Sequence, residues 1–165
     1  AAAKLCVSVV GIDVSEAMLE RARSKARAPE AGRLEFRKAG YLDFDSQEAS
    51  FDVVTSSFSL HHLPDYWKGV ALEKIFQCLK EGGVFFLRDV VMPDASAAAV
   101  VFSFIEQQER RGGAFLKEDA IGHFRDEFST YGWIMGGLLE RAGFVIETQD
   151  TIDSVVCEYT CRKTT

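Results

Sequence analysis

An α/β fold built on a mostly parallel sheet is what this sequence predicts, and three observations predict it. Short apolar, β-branched runs such as Val7–Asp13 and Phe51–Thr55 alternate with segments whose apolar residues recur at helical spacing. The first run ends on Asp13 and is followed at once by Ser15, an N-cap residue, with Glu16 in the first helical turn. The last two runs alone are joined by a connection too short for a crossover, so they must be antiparallel. In open sheets of this kind, ligands sit outside the carboxyl ends of the strands, which aims Asp13 at a ligand crevice. A carboxylate there can accept from two vicinal hydroxyls, or it can simply help cap the helix.

The elements follow in order. Ala1–Leu5 reads as the last turn of a helix. After Ser15, the positions Met18, Leu19, Ala22 and Ala26 share a helix face, and Ala28-Pro29 ends the run. Leu34-Glu35-Phe36 is a short strand, and 40–50 a polar connection. Phe51–Thr55 is a buried strand that opens into Ser56-Ser57-Phe58-Ser59-Leu60-His61-His62. Trp67, Val70, Ala71, Ile75, Cys78 and Leu79 mark an amphipathic helix stopped by Gly82-Gly83. Val84 to Met92 shows little alternation and suits a central strand covered on both faces. A helix is expected over 95–111, ending at Gly112-Gly113, and another that Ser129 caps and Gly143 stops. Phe144–Glu147 and 155–162 are the closing strands, joined by a polar turn at 150–153, with Val155, Cys157, Tyr159 and Cys161 on the core side.

Composition bounds the function. The 165 residues are 47% hydrophobic and 27% charged, which suits one globular domain with a substantial core. A net charge of −6 with Lys and Arg scattered among acids gives no basic footprint, so nucleic acid and anionic membranes are not expected partners. No stretch approaches the ~20 apolar residues of a membrane span, and Ala1–Leu5 lacks the pattern of a signal peptide; a soluble, cytoplasmic protein is expected. Cys6, Cys78, Cys157 and Cys161 fit no zinc spacing and read as reduced core thiols, so neither a metal site nor a disulfide is predicted. The phenylalanines Phe102, Phe104, Phe115, Phe124 and Phe128 crowd the middle third, either as helix packing or, for a few, as the wall of an apolar substrate pocket.

Four local signals in one order, Val10-Gly11-Ile12-Asp13-Val14-Ser15-Glu16-Ala17-Met18-Leu19, Ser50-Phe51-Asp52-Val53-Val54, Leu60-His61-His62-Leu63 and Leu79-Lys80-Glu81-Gly82-Gly83, carry a resemblance over nearly the whole chain. The sequence resembles a class I S-adenosylmethionine-dependent methyltransferase of the small-molecule type. The resemblance implies a Rossmann-like, mostly parallel twisted sheet with helices on both faces and a C-terminal antiparallel hairpin. It implies S-adenosylmethionine as cofactor and a small-molecule methyl acceptor as partner, and it admits a homo-oligomer. On it, Asp13 would hold the ribose hydroxyls, Val14 and Met18 would pack on the adenine, and Gly40-Tyr41-Leu42 would pass the adenine edge. Ser56-Ser57-Phe58 would run beside the methionine portion.

Two departures stand beside the resemblance. None of the 13 glycines forms a Gly-x-Gly after a strand. The expectation is therefore one domain over 1–165 that is N-terminally incomplete, beginning inside the helix that follows the family's glycine loop, with 95–129 as a helical insertion covering the substrate. Where the family commonly carries an acid for the adenine amino group, Gly40 stands, so Asp43 or Asp45 would have to substitute. Methyl transfer from a sulfonium mainly requires nucleophile, methyl and sulfur to be held in line. If the acceptor is a hydroxyl, a general base helps; His61 at a strand's carboxyl end is the candidate and His62 the alternate. Against this, one imidazole could close the loop and the other pack under Trp67, and His123 reads as a surface or pocket-wall residue. Two rival functions are a binding or scaffold module that has lost the cofactor loop and a nicotinamide-dependent oxidoreductase, since an acid after the second strand also serves NAD.

Overall fold

The computed structural model describes residues 6–26, 33–45, 48–93 and 95–164. These fall into two compact units divided after Asp45. The expectations for Ala1–Leu5 and for Ala28-Pro29 lie outside the described residues. No helix among the described residues is long and apolar enough to cross a membrane.

In the first unit, β1 (Val9–Asp13) leads through α1 (Glu16–Lys25) to β2 (Leu34–Lys38), and the two strands pair in parallel from Val9 opposite Leu34 to Asp13 opposite Lys38. Ser15 holds extended backbone and its hydroxyl accepts the Met18 amide at 3.4 Å, while Glu16 at the start and Arg23 and Lys25 at the end oppose the helix dipole. Leu19, 2% exposed, is the residue this helix buries.

The second unit runs β3 (Phe51–Ser57), a 3-10 turn (Leu60–His62), α2 (Asp65–Cys78), β4 (Leu79–Met92), α3 (Ala97–Asp126), β5 (Thr130–Tyr131), α4 (Gly132–Arg141), β6 (Phe144–Asp153) and β7 (Val156–Lys163). The strand order is β3-β4-β7-β6, with β5 adding a short parallel bridge to the end of β4. β3 and β4 are parallel, and β7 runs antiparallel to both β4 and β6. Among the described residues three of the five strand pairings are thus parallel, and the last two strands form an antiparallel hairpin, which is the fold class the sequence predicts.

Why β4 is central follows from its residues. Phe85, Leu87 and Val91 are fully buried on one face, and Val84, Phe86 and Val90 are half-buried on the other. Opposite them, Val155, Cys157, Tyr159 and Cys161 are buried in the predicted alternation. Burying one such leucine or phenylalanine stabilises by about 1.5–3 kcal/mol, so this face anchors the unit. α2 packs Ala71, Leu72, Ile75 and Cys78 inward. Trp67, placed by spacing on the same face, is instead 45% exposed and meets Tyr66 edge-on, while Lys68 takes the buried position.

Several boundaries differ from the sequence reading, each for a local reason. α2 ends at Cys78 rather than at Gly82-Gly83, because Phe51 pairs with Leu79 and Val53 with Val84, and the extra residues of β4 bulge between them. Gly82 turns that bulge at φ 73°, and a Cβ on Gly83 would lie 2.7 Å from the Lys80 carbonyl oxygen. Gly112 and Gly113 leave helical geometry and break α3 where the sequence placed the stop, and a second helical stretch runs from there to Asp126. Ser129 caps nothing; Tyr131 occupies the N-cap of α4. The closing turn is Ser154-Val155, not 150–153, since β6 keeps its pairing to Asp153. Among the phenylalanines, Phe104 and Phe124 pack edge-to-face at 5.9 Å, whereas Phe102, Phe115 and Phe128 are exposed and are not core packing.

Candidate active site

In the first unit, Asp13 closes β1, and its Oδ1 accepts the Ser15 amide at 2.8 Å. That bond sets up the turn into α1 and commits one carboxylate oxygen only. Val14 and Met18 beside it are 69% and 51% exposed, an apolar surface that the unit's own packing leaves uncovered. The Ala39 amide donates to the Asp13 carbonyl, bringing Gly40 against Val14. A Cβ on Gly40 would lie 3.1 Å from Val14 Cγ1 and 3.4 Å from Asp43 Oδ1, and the Gly40 amide donates to that same oxygen at 2.6 Å. A carboxylate therefore stands beside the side-chain-less position, supplied by Asp43 from the turn that holds Tyr41 and Leu42. Asp13, Val14 and Gly40 lie together at this end of the unit.

In the second unit, Ser56 is buried at the end of β3, Ser57 is exposed, and Phe58, 48% exposed at φ 49°, hands its amide to the Arg88 carbonyl. This left-handed residue turns the chain out of the sheet and into the 3-10 turn that carries both histidines. His61 is 5% exposed. Its Nδ1 meets Asp89 Oδ1, and its Nε2 lies 3.0 Å from Glu127 Oε2. Asp89, fully buried on β4, also accepts the amides of Leu60 at 2.8 Å, His61 at 3.2 Å and Val90 at 2.8 Å. A buried carboxylate with this many donors fixes the turn and the ring orientation together.

Glu127, just past α3, is the meeting point. His123 Nδ1, one helical turn earlier, contacts its Oε2, and His62 Nδ1 lies 3.8 Å from its Oε1. His123 Nε2 pairs with Ser129 Oγ at 2.9 Å, which is the use the structure makes of the serine. Burial holds the His123 imidazole below its ordinary range, against the pull of the Glu127 carboxylate, with the neighbouring His61 adding to the depression. The segment is tied down by the Phe128 amide on the His61 carbonyl at 2.8 Å, and by Lys68, whose ammonium meets the Phe128 carbonyl and Asp65 Oδ1. His62 is 57% exposed in its side chain, so it is not packed away as a loop filler.

Asp89, Glu127 and Lys68 were not singled out in the sequence. Two signals point to the first two: an acid at the buried parity of Val84–Met92, and Glu127 four residues after His123 at the end of a helical run. An open depression of about 530 Å³, lined by Glu81, Gly82, Arg162, Lys163 and Thr164, lies near the β4 bulge and the end of β7, not at these groups.

Residues 1–83 match the family described as a methyltransferase domain. The chain belongs to that family. It is 39% identical over 75 residues to a demethylmenaquinone methyltransferase of Lactococcus lactis, covering 46% of this chain and 29% of that protein. It is 36% identical over 92 residues to a 27-O-demethylrifamycin SV methyltransferase of Amycolatopsis mediterranei, covering 55% and 33%. The chain thus spans about a third of the length of these curated relatives. A solved S-adenosylmethionine-dependent methyltransferase from Mesorhizobium loti shares the fold, with a TM-score of 0.67 at 17% identity over 95% of this chain and 81% of that one.

Proposed function

We propose that this chain is the cofactor-binding core of an S-adenosylmethionine-dependent methyltransferase acting on a small-molecule acceptor. The observation that carries the reading is the grouping at the end of β1: an acid with only one oxygen committed, flanked by the exposed apolar side chains of Val14 and Met18. That grouping fits a nucleoside, with the second Asp13 oxygen accepting from the ribose and the apolar pair lying on the adenine face. Gly40, Tyr41 and Leu42 border the adenine edge, and Asp43 supplies the acceptor for its amino group. Ser56, Ser57 and Phe58 follow the methionine portion. When bound, the cofactor supplies a methyl carbon already activated for displacement, so this chain's contribution is to orient the reactants and exclude water. The acceptor is a small molecule, as the names of the quinone and rifamycin relatives suggest, and segment 95–129 covers it.

For a hydroxyl acceptor, His61 takes the proton through Nε2 as Glu127 turns aside, and Asp89 on Nδ1 holds the resulting imidazolium. The test is calorimetric titration of S-adenosylmethionine into a version of the protein that carries the family's opening glycine loop and into its Asp13→Ala variant. The expected loss is about 1.5–3 kcal/mol of binding free energy, the range for a hydrogen bond to a charged group, with the melting curve lowered only by the lost Ser15 amide bond. Equal affinities remove Asp13 from the site, and absence of binding in both removes the cofactor reading.

A further inference from the structure

We propose that His61, His123 and Glu127 form a binding site for a divalent transition-metal ion of the zinc, cobalt and nickel type. The ligand atoms of these three residues all lie within 4.8 Å of one another, with His61 Nε2 and Glu127 Oε2 3.0 Å apart. A four-coordinate ion with bonds of about 2.0–2.2 Å holds its ligand atoms roughly 3.3–3.6 Å apart, so small adjustments of side chains admit it. Two imidazoles and one carboxylate are a borderline donor set, suited to these ions rather than to magnesium or calcium.

The groups behind the ligands support the assignment independently. Each imidazole has its far nitrogen held by an oxygen, His61 Nδ1 by Asp89 and His123 Nε2 by Ser129 Oγ at 2.9 Å, so the two near nitrogens converge on Glu127. Outer partners of this kind orient metal-ligating histidines. Glu127 Oε2 is buried and within ion-pair distance of both rings, yet accepts no directed hydrogen bond from either. A cation between the three would satisfy that oxygen. It would also offset the two carboxylates, Asp89 and Glu127, gathered around His61. Three protein ligands leave a coordination position open, bordered by the exposed His62.

The site uses none of the cysteines on whose spacing the sequence expectation of no metal rested. It goes beyond the methyltransferase reading, and the binding does not depend on it. If both hold, metal loading and proton transfer by His61 exclude each other, because both need Nε2.

Cobalt(II) binding followed by visible absorption, and zinc(II) competition against it, test the site in the full chain carrying Cys6→Ser, which removes the exposed thiol. The expected result is stoichiometric cobalt binding with the absorption of a nitrogen- and oxygen-ligated ion, displaced by zinc and not by magnesium. His123→Ala and Glu127→Gln, whose side chains are partly exposed, should abolish it while the chain still melts cooperatively. Ser129→Ala should weaken it roughly 10-fold, the effect of losing an outer partner. Absence of the cobalt absorption, or its persistence in both ligand variants, overturns the proposal.

Discussion

Removing the Asp89 carboxylate tests the centre of the second unit most directly. Asp89 is fully buried and accepts three backbone amides, from Leu60, His61 and Val90, besides the His61 ring nitrogen. In Asp89→Ala all four donors lose their acceptor at once, at about 1–3 kcal/mol for each buried donor left unmatched. The desolvation cost of the carboxylate itself, several kcal/mol, is recovered. The net expectation is a loss of about 3–5 kcal/mol, the range for breaking a buried charged network, or a fall in melting temperature of roughly 10 °C for a chain of this length. Asp89→Asn keeps one acceptor oxygen and should lose roughly half as much. Trp67 and Trp133, the chain's two tryptophans, both lie in this unit, so denaturant unfolding followed by their fluorescence reports on it selectively. A loss below about 1 kcal/mol for Asp89→Ala would refute the view that this carboxylate holds the histidine turn.

Three further outcomes follow from the same packing. Burial pushes the Cys161 thiol up to about 12, so above the unfolded thiol's pKa of about 8.5 only the unfolded chain ionises there. Stability is unaffected by this group below that pH and falls as pH rises from there toward 12; a pH series of unfolding curves on the protein and Cys161→Ala should show the variant losing less. Cys6 is exposed and Cys78, Cys157 and Cys161 are buried, so one thiol of the four should react with a disulfide reagent before unfolding and all four after it; fast reaction of a second native thiol would contradict the packing. At Gly143, φ is 103° and a Cβ would lie 2.9 Å from the Phe76 ring, so Gly143→Ala should destabilise by about 1–3 kcal/mol in the same fluorescence assay, and a neutral result would refute the tight turn from α4 into β6.

What the sequence determined by itself is the local grammar. Asp13 at a strand end, Ser15 at the next N-cap and the alternation from Val155 to Cys161 all depend on neighbours a few residues away, and each stands where the pattern placed it. The family is legible for the same reason, since its motifs are short and contiguous. Tertiary structure alone decided the histidine cluster. Asp89 and Glu127 lie 28 and 66 residues from His61, and no periodicity relates positions joined only by chain folding. It also decided that Lys68 is fully buried, because a charge enters the interior only when acceptors such as Asp65 and the Phe128 carbonyl are already there to receive it. The β4 bulge belongs to the same class: the pairing of Val53 with Val84, two strands' agreement on register, is what turns Gly82-Gly83 from a helix stop into a bend within a strand.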